Sequence, residues 1–202
     1  MKYEDRILKL FKNGYLTTKA VNDNDIPRFY LTKLIKENKI ERVSRGVYVR
    51  KNEVPDDFVV LQSKSKNAIY SNMTALYLHG FSDRIPLKYD ITINSGYNGS
   101  LQKSNNVNLF YTKKDLLNLG VIDYKLGTGS TIRVYDLDKT ICDIIKNRKK
   151  IDAEIFGKAI REYFYSKNKN TLKLYEYAKK MNIYSKVRDT FEVLKWLKIE
   201  IH

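Results

Sequence analysis

Apolar positions at the start of the chain recur at helical spacing: Tyr3, Ile7, Leu8, Leu10 and Phe11, with Gly14 as a stop. A second short helix is predicted to begin at Thr17 or Thr18, both good N-caps, and to break at Asn22-Asp23-Asn24-Asp25. A third follows over 28–38, with Pro27 expected at its first position, where a missing N–H costs nothing. Then Ile40-Glu41-Arg42-Val43, Ser44-Arg45-Gly46 and Val47-Tyr48-Val49-Arg50 read as a tight hairpin, Gly46 supplying the positive φ of the turn. On a wheel of about 100° per residue the third helix separates cleanly. Leu31, Leu34 and Ile35 gather on one side with Pro27 and Asn38; Phe29, Thr32, Lys33 and Lys36 face away, with Arg28 and Tyr30 on the flanks.

Three helices followed by a basic two-stranded wing is a DNA-docking layout in which the last helix enters the major groove. The outward face carries charge for phosphates, a hydroxyl for base edges and an aromatic that can touch a thymine methyl. The expected DNA contacts are Arg28, Phe29, Thr32, Lys33 and Lys36 on the helix, with Arg42 and Arg45 on the wing. The plainer alternative is a solvated basic face, with Phe29 and Tyr30 folded back into the core.

Beyond residue 54 the pattern changes. Pro55-Asp56-Asp57 predicts a helix start. Ala68-Ile69-Tyr70 reads as a short strand, and Ser71 is expected to cap a helix from Asn72 to His79 that stops at Gly80. Tyr89 to Ile93 and Val107 to Tyr111 alternate like strands, and Val121 to Tyr135 reads as a hairpin turning at Gly127-Thr128-Gly129. Asp136 caps a helix through Ile145, and the remainder is helical. Its apolar stripes are Ile151, Ile155, Ala159 and Tyr163; Leu172, Tyr175, Ala178 and Met181; and Val187, Phe191, Leu194 and Trp196-Leu197. The expected fold class is therefore α+β: an N-terminal winged helix-turn-helix over 1–54, then a mixed α/β domain over 55–202 with a helical end from about 136.

Charge narrows the partner. The 202 residues carry 38 Lys and Arg against 23 Asp and Glu, a net charge of +15 that suits a polyanion. The excess sits at the two ends, where residues 1–54 carry 13 basic and 7 acidic side chains and residues 137–202 carry 16 and 9. Lys149, Lys150, Lys158, Lys169, Lys173, Lys179, Lys180, Lys186 and Lys195 could extend contact along a DNA backbone or simply solubilise a helical surface. A single cysteine, Cys142, excludes an internal disulfide and fits a reducing cytoplasm. The charged N-terminus argues against a signal peptide, and no stretch approaches the roughly 18 apolar residues of a membrane span.

Candidate chemistry is sparse. His79 and His202 are the two histidines, and a lone His before a helix-ending Gly reads as structural. Gly129-Ser130 with Asp136 and Asp138 superficially follows a nucleotidyltransferase pattern, but Asp136 reads better as an N-cap and Asp138 as first-turn charge. Gly127-Thr128-Gly129 lacks the Lys-Ser/Thr of a phosphate-binding loop. Neither enzyme activity, nor a cofactor, nor a metal is expected.

Three segments, in this order, resemble the AbiEi-type antitoxins of bacterial abortive-infection (type IV toxin–antitoxin) systems: Leu34-Ile35 through Arg42-Val43-Ser44-Arg45-Gly46-Val47-Tyr48, Asn72-Met73-Thr74-Ala75-Leu76-Tyr77-Leu78-His79-Gly80, and Asp136-Leu137-Asp138-Lys139-Thr140-Ile141-Cys142-Asp143. The resemblance spans about residues 1–150, and Lys139 stands where the pattern has Arg. It implies a winged helix that represses its own operon by binding promoter inverted repeats in double-stranded DNA. It also implies a C-terminal domain that counteracts a nucleotidyltransferase-like toxin without a stable complex. The alternatives from the residues are a winged-helix regulator with a ligand-sensing or oligomerising second domain and no toxin partner, an enzyme built on Asp136 and Asp138, and an antitoxin that grips its toxin through the helical half.

Overall fold

A computed structural model describes residues 2–12, 14–53, 56–65 and 67–199, with backbone alone for 195–199. The expectations for Pro55, for the side chains of Lys195, Trp196 and Leu197, and for His202 lie outside the described residues. The chain is mixed α and β, with ten α-helices and two sheets among the described residues. It divides into two compact units, Met1–Lys66 with Asp123–Ile132, and Asn67–Ile122 with Arg133–His202.

The first unit runs α1 (Tyr3–Lys9), β1 (Tyr15–Thr17), α2 (Thr18–Asn22), α3 (Phe29–Lys36), β2 (Ile40–Ser44), β3 (Val47–Arg50) and α4 (Asp57–Ser63). Its core is Ile7, Leu16, Val21, Ile26, Leu31, Leu34, Ile40 and Tyr48, drawn from α1 through β3 and the loop before α3. Thr17 caps α2 by accepting from Ala20 N at 3.1 Å. β2 and β3 form the expected hairpin, Ser44 opposite Val47, with Gly46 at φ 79°. The strand β1 has no counterpart in the hydrophobic pattern. Three residues are too few to show a period of two, yet they pair along β3 and make the sheet three-stranded, in the order β1-β3-β2. Two helix expectations shift. Pro27 stands one residue before the N-cap Arg28 rather than at the first helical position, and its carbonyl accepts from Tyr30 N at 3.1 Å. Ile35 is exposed rather than in the core, because Leu31 and Leu34 alone fill the face that meets α1 and β2.

The second unit continues with β4 (Ile69–Tyr70), α5 (Asn72–Leu78), β5 (Tyr89–Asn94), β6 (Val107–Thr112), α6 (Lys114–Leu117), β7 (Val121–Lys125), β8 (Thr131–Tyr135), α7 (Leu137–Lys146), α8 (Ala153–Tyr165), α9 (Thr171–Lys180) and α10 (Tyr184–Ile199). The tip of the β7–β8 hairpin is the part that belongs to the first unit. The sheet order is β6-β5-β4-β8-β7, with β4 antiparallel to β5 and parallel to β8, and β5 parallel to β6. The helical core gathers Leu76, Ile141, Ile144, Ile160, Tyr163, Leu174, Val187 and Phe191 around α7. The expected stripe from Leu172 is displaced: Leu172 is 81% exposed and Leu174 is buried, because α9 begins at Thr171 and Asn170 caps it by accepting from Lys173 N. The cap of α5 also differs. Ser71 Oγ accepts from Asn72 Nδ2 and Thr92 Oγ1, and the carboxylate of Asp90, on β5, accepts from Met73 N at 3.0 Å instead.

α7 is buried on every side from Asp138 to Ile145 although it carries four charged residues or caps. Each is satisfied. Asp136 caps the helix through Lys139 N at 2.8 Å, and its other oxygen takes Lys173 Nζ at 2.6 Å and the Tyr177 hydroxyl at 3.0 Å. Asp138 accepts from Tyr163 Oη and Asn170 N, at 2.7 and 2.9 Å. Lys139 donates to both oxygens of Asp143 at 2.7 and 2.8 Å, its ammonium 4.0 Å from the centre of the Tyr135 ring. Burial beside these carboxylates pushes the Tyr177 hydroxyl up to about 12 and the Cys142 thiol well above its ordinary value.

Candidate nucleic-acid interface

Building upward from α3, the buried pair Leu31 and Leu34 fixes the roll of the helix, so that the residues between them point outward. Phe29 is 69% exposed at the start of the helix, and Thr32 and Lys36 are exposed along it. An aromatic of that size left in solvent is the least expected of the three, since folding gains nothing from it. Tyr30 is half-buried. Its ring lies 4.9 Å from that of Tyr3 and edge-on to Phe29 at 5.7 Å, and Arg6 stands over Tyr3 at 5.4 Å. The alternative in which both aromatics fold into the core therefore fails for Phe29, whereas Tyr30 packs against the core and stacks α3 on α1.

The five expected cations of α3 and the hairpin, and their neighbours, differ in how far they are already engaged. Lys33 forms an ion pair with Glu4 of α1 and a longer one of 3.8 Å with Glu37. The Glu4 contact raises the Lys33 ammonium above, and lowers the Glu4 carboxyl below, their ordinary values. Arg28 donates from Nε to Asn22 Oδ1 at 2.9 Å, joining the end of α2 to the start of α3. Arg42 donates to the Ser44 carbonyl at 3.2 Å and stays exposed. Lys36 and Arg45 are exposed and have no ion pair among the described residues. Arg50, at the base of the hairpin, is held by Glu53, the Leu8 carbonyl and the Phe11 ring.

Arg45 sits at the two-residue tip, and the geometry of that tip is enforced. Thr18 N donates to the Gly46 carbonyl at 2.8 Å, and a Cβ on Gly46 would lie 3.3 Å from Thr18 Oγ1. The start of α2 thus anchors the turn. On α2, Lys19 is exposed and has no ion pair among the described residues. Sequence reasoning passed over it; the signal available was its place two residues after the Thr17 cap, on the first turn of the helix that precedes α3.

In the second unit the acidic residues at the start of α7 are engaged within the fold. Asp136 and Asp138 turn to different partners, and among the described residues no group of three or more His, Cys, Asp or Glu is placed to hold a metal ion. His79 Nε2 lies 2.8 Å from the Tyr135 carbonyl, which joins α5 to β8. Of the basic helical surface, Lys158 is paired with Asp83 and Glu162 and Lys173 with Asp136. Among the described residues no helix is long and apolar enough to cross a membrane.

Comparison with known proteins bears on the first unit most directly. Residues 5–51 match a family described as transcriptional regulator, AbiEi antitoxin. The match begins in α1 and ends just past β3, so it takes in α3, the hairpin and every residue named above as a candidate contact. No curated protein matches the sequence. Among solved structures, the chain is similar to the RV2827C protein from Mycobacterium tuberculosis, with a TM-score of 0.56 and 9% identity over 82% of this chain. The chain spans 66% of that protein's length, and the likeness is one of fold.

Proposed function

We propose that this chain, of AbiEi antitoxin type in its N-terminal segment, is a DNA-binding antitoxin that reads its own promoter through a winged helix-turn-helix. In this reading α2 crosses the backbone, α3 enters the major groove, and the β2–β3 hairpin is the wing. The observation that carries it is the outer face of α3: Phe29, Thr32 and Lys36 are left in solvent while Leu31 and Leu34 are buried. Lys36, Arg45 and Lys19 supply phosphate contacts, Thr32 and Phe29 reach base edges, and Arg42 supports the wing. Arg28 and Lys33 act chiefly by bracing α3, because both are already bonded within the unit. The target is double-stranded DNA carrying inverted repeats. The second unit counteracts a nucleotidyltransferase-like toxin in the cytoplasm without a stable complex, and the chain itself is not an enzyme.

Two measurements on the full chain test this. In salt-titrated binding to the promoter of its own operon, Lys36→Ala and Arg45→Ala are each expected to weaken affinity. Each should also flatten the log–log salt dependence by about one, as for a lost phosphate contact. Unchanged binding in both variants would remove α3 and the hairpin from the interface. In cells expressing the toxin of the adjacent gene, the Lys36→Ala/Arg45→Ala double variant should still rescue growth. Loss of rescue alongside loss of DNA binding would show that the two activities are not divided between the units.

A further inference from the structure

The second unit contains a cavity of about 810 Å³ whose lining comes wholly from that unit. Its volume falls in the range of sites that enclose a small organic ligand. Its polar and charged lining divides into buried and exposed residues. Asp90 and Asn72, on the lining, are 5% and 1% exposed. Arg84, Lys88 and Lys150, also on the lining, are exposed. Leu109 and Phe110 of β6 form an apolar wall beside them, with Lys150 Nζ 5.6 Å from the centre of the Phe110 ring.

Two features of the buried lining are unusual for a merely structural groove. Asp90 is a buried carboxylate that accepts one bond on each oxygen, from Met73 N at 3.0 Å and from Asn108 Nδ2 at 2.9 Å. Among the described residues no basic side chain pairs with it, so each oxygen keeps a lone pair for an N–H donor. Asn72, at the junction of β4 and α5, holds φ at 44°, a left-handed backbone that non-glycine residues rarely adopt. It is locked there by Asn147 Nδ2, which donates to its Oδ1 at 2.8 Å, and by its own bond to Ser71 Oγ at 3.1 Å. Strained backbone held by its surroundings gathers at ligand clamps. The exposed cations are equally uncommitted. Lys88 and Lys150 have no ion pair among the described residues, and Arg84 meets Glu154 only at 3.8 Å, both side chains largely in solvent.

A ligand complementary to this lining donates hydrogen bonds at one end, is flat and apolar enough to lie along Phe110, and is anionic at the other end. We infer that the cavity binds a nucleoside phosphate, its base directed to Asp90 and Asn108 and its phosphates held by Lys88, Lys150 and Arg84. This goes beyond the reading of the first unit and stands or falls without it. An acidic peptide fits less well, since it carries no N–H-rich ring to satisfy Asp90.

Equilibrium binding of the four ribonucleoside triphosphates, their nucleosides and inorganic triphosphate to the full chain tests the site. At least one nucleotide should bind more tightly than about 0.1 mM at 0.15 M salt, and its nucleoside and inorganic triphosphate at least about tenfold more weakly. Lys88→Ala/Lys150→Ala should weaken that binding about tenfold or more, whereas Lys179→Ala/Lys180→Ala, on α9 and outside the lining, should leave it unchanged. Asp90→Asn, which keeps the shape and an acceptor for Met73 N, should change which base is preferred. Circular dichroism of each variant separates a lost site from a lost fold. The inference is overturned if no nucleotide binds more tightly than about 0.1 mM. It is also overturned if inorganic triphosphate binds as well as the nucleotides, or if the α9 variant loses as much as the cavity variant.

Discussion

Lys33 and Lys36 occupy one helix, and a wheel places both on its outward side, yet they end in different environments. Lys33 is drawn to Glu4 across the α1–α3 contact, and Lys36 has no ion pair among the described residues. Such a choice depends on a residue 29 positions away, which no local pattern carries. Lys33→Ala should therefore reduce DNA binding mainly by loosening α3, and Glu4→Gln should reproduce part of that loss although Glu4 repels phosphate. If Glu4→Gln tightens binding instead, Lys33 contacts DNA directly. The buried pair Lys139–Asp143 shows the same limit from the opposite side, since a lysine in the middle of a helix reads as surface. Lys139→Ala should destabilise the fold by roughly 3–5 kcal/mol, because it strands the Asp143 carboxylate, whereas Lys139→Met with Asp143→Leu should be close to neutral. Chemical denaturation of the single and double variants distinguishes these outcomes.

At the scale of elements, what was legible followed from caps and turns. Thr17, Asp136 and Gly46 each do locally what their residue types favour, so α2, α7 and the hairpin were readable. Gly46→Ala should cost about 1–3 kcal/mol, since it combines a left-handed φ with the close approach of Thr18; the midpoint of urea unfolding measures it. One misread element takes its cap from afar. The first turn of α5 is closed by Asp90, on a strand that follows it in sequence, and Ser71 turns to Thr92 instead. That distant cap has a pH signature. Burial holds the Asp90 carboxyl above its ordinary value, so its contribution to stability is complete below the usual carboxylate range and is lost as pH rises through the raised value. The stability advantage of the wild-type protein over Asp90→Asn should therefore shrink between about pH 3 and about pH 7. A difference that grows over that interval would mean that Asp90 is held below its ordinary value.

For the whole molecule, composition and charge indicated a polyanion and the order of elements indicated α+β, but neither could assign the loop near residue 128. Gly127-Thr128-Gly129 reads as an ordinary hairpin turn, and it is one: Gly129 N donates to the Leu126 carbonyl at 2.9 Å. Thr128 Oγ1 also donates to Asp56 Oδ2 at 3.0 Å, the carboxylate that caps α4 through its other oxygen. The link spans 72 residues and makes the first unit discontinuous in sequence. The chain leaves that unit near residue 66, returns at Asp123 and departs again after Ile132. No single crossover between genes could then exchange one unit for a foreign one intact, because a breakpoint between them would carry the hairpin tip to the wrong parent. The two units are built to be inherited together.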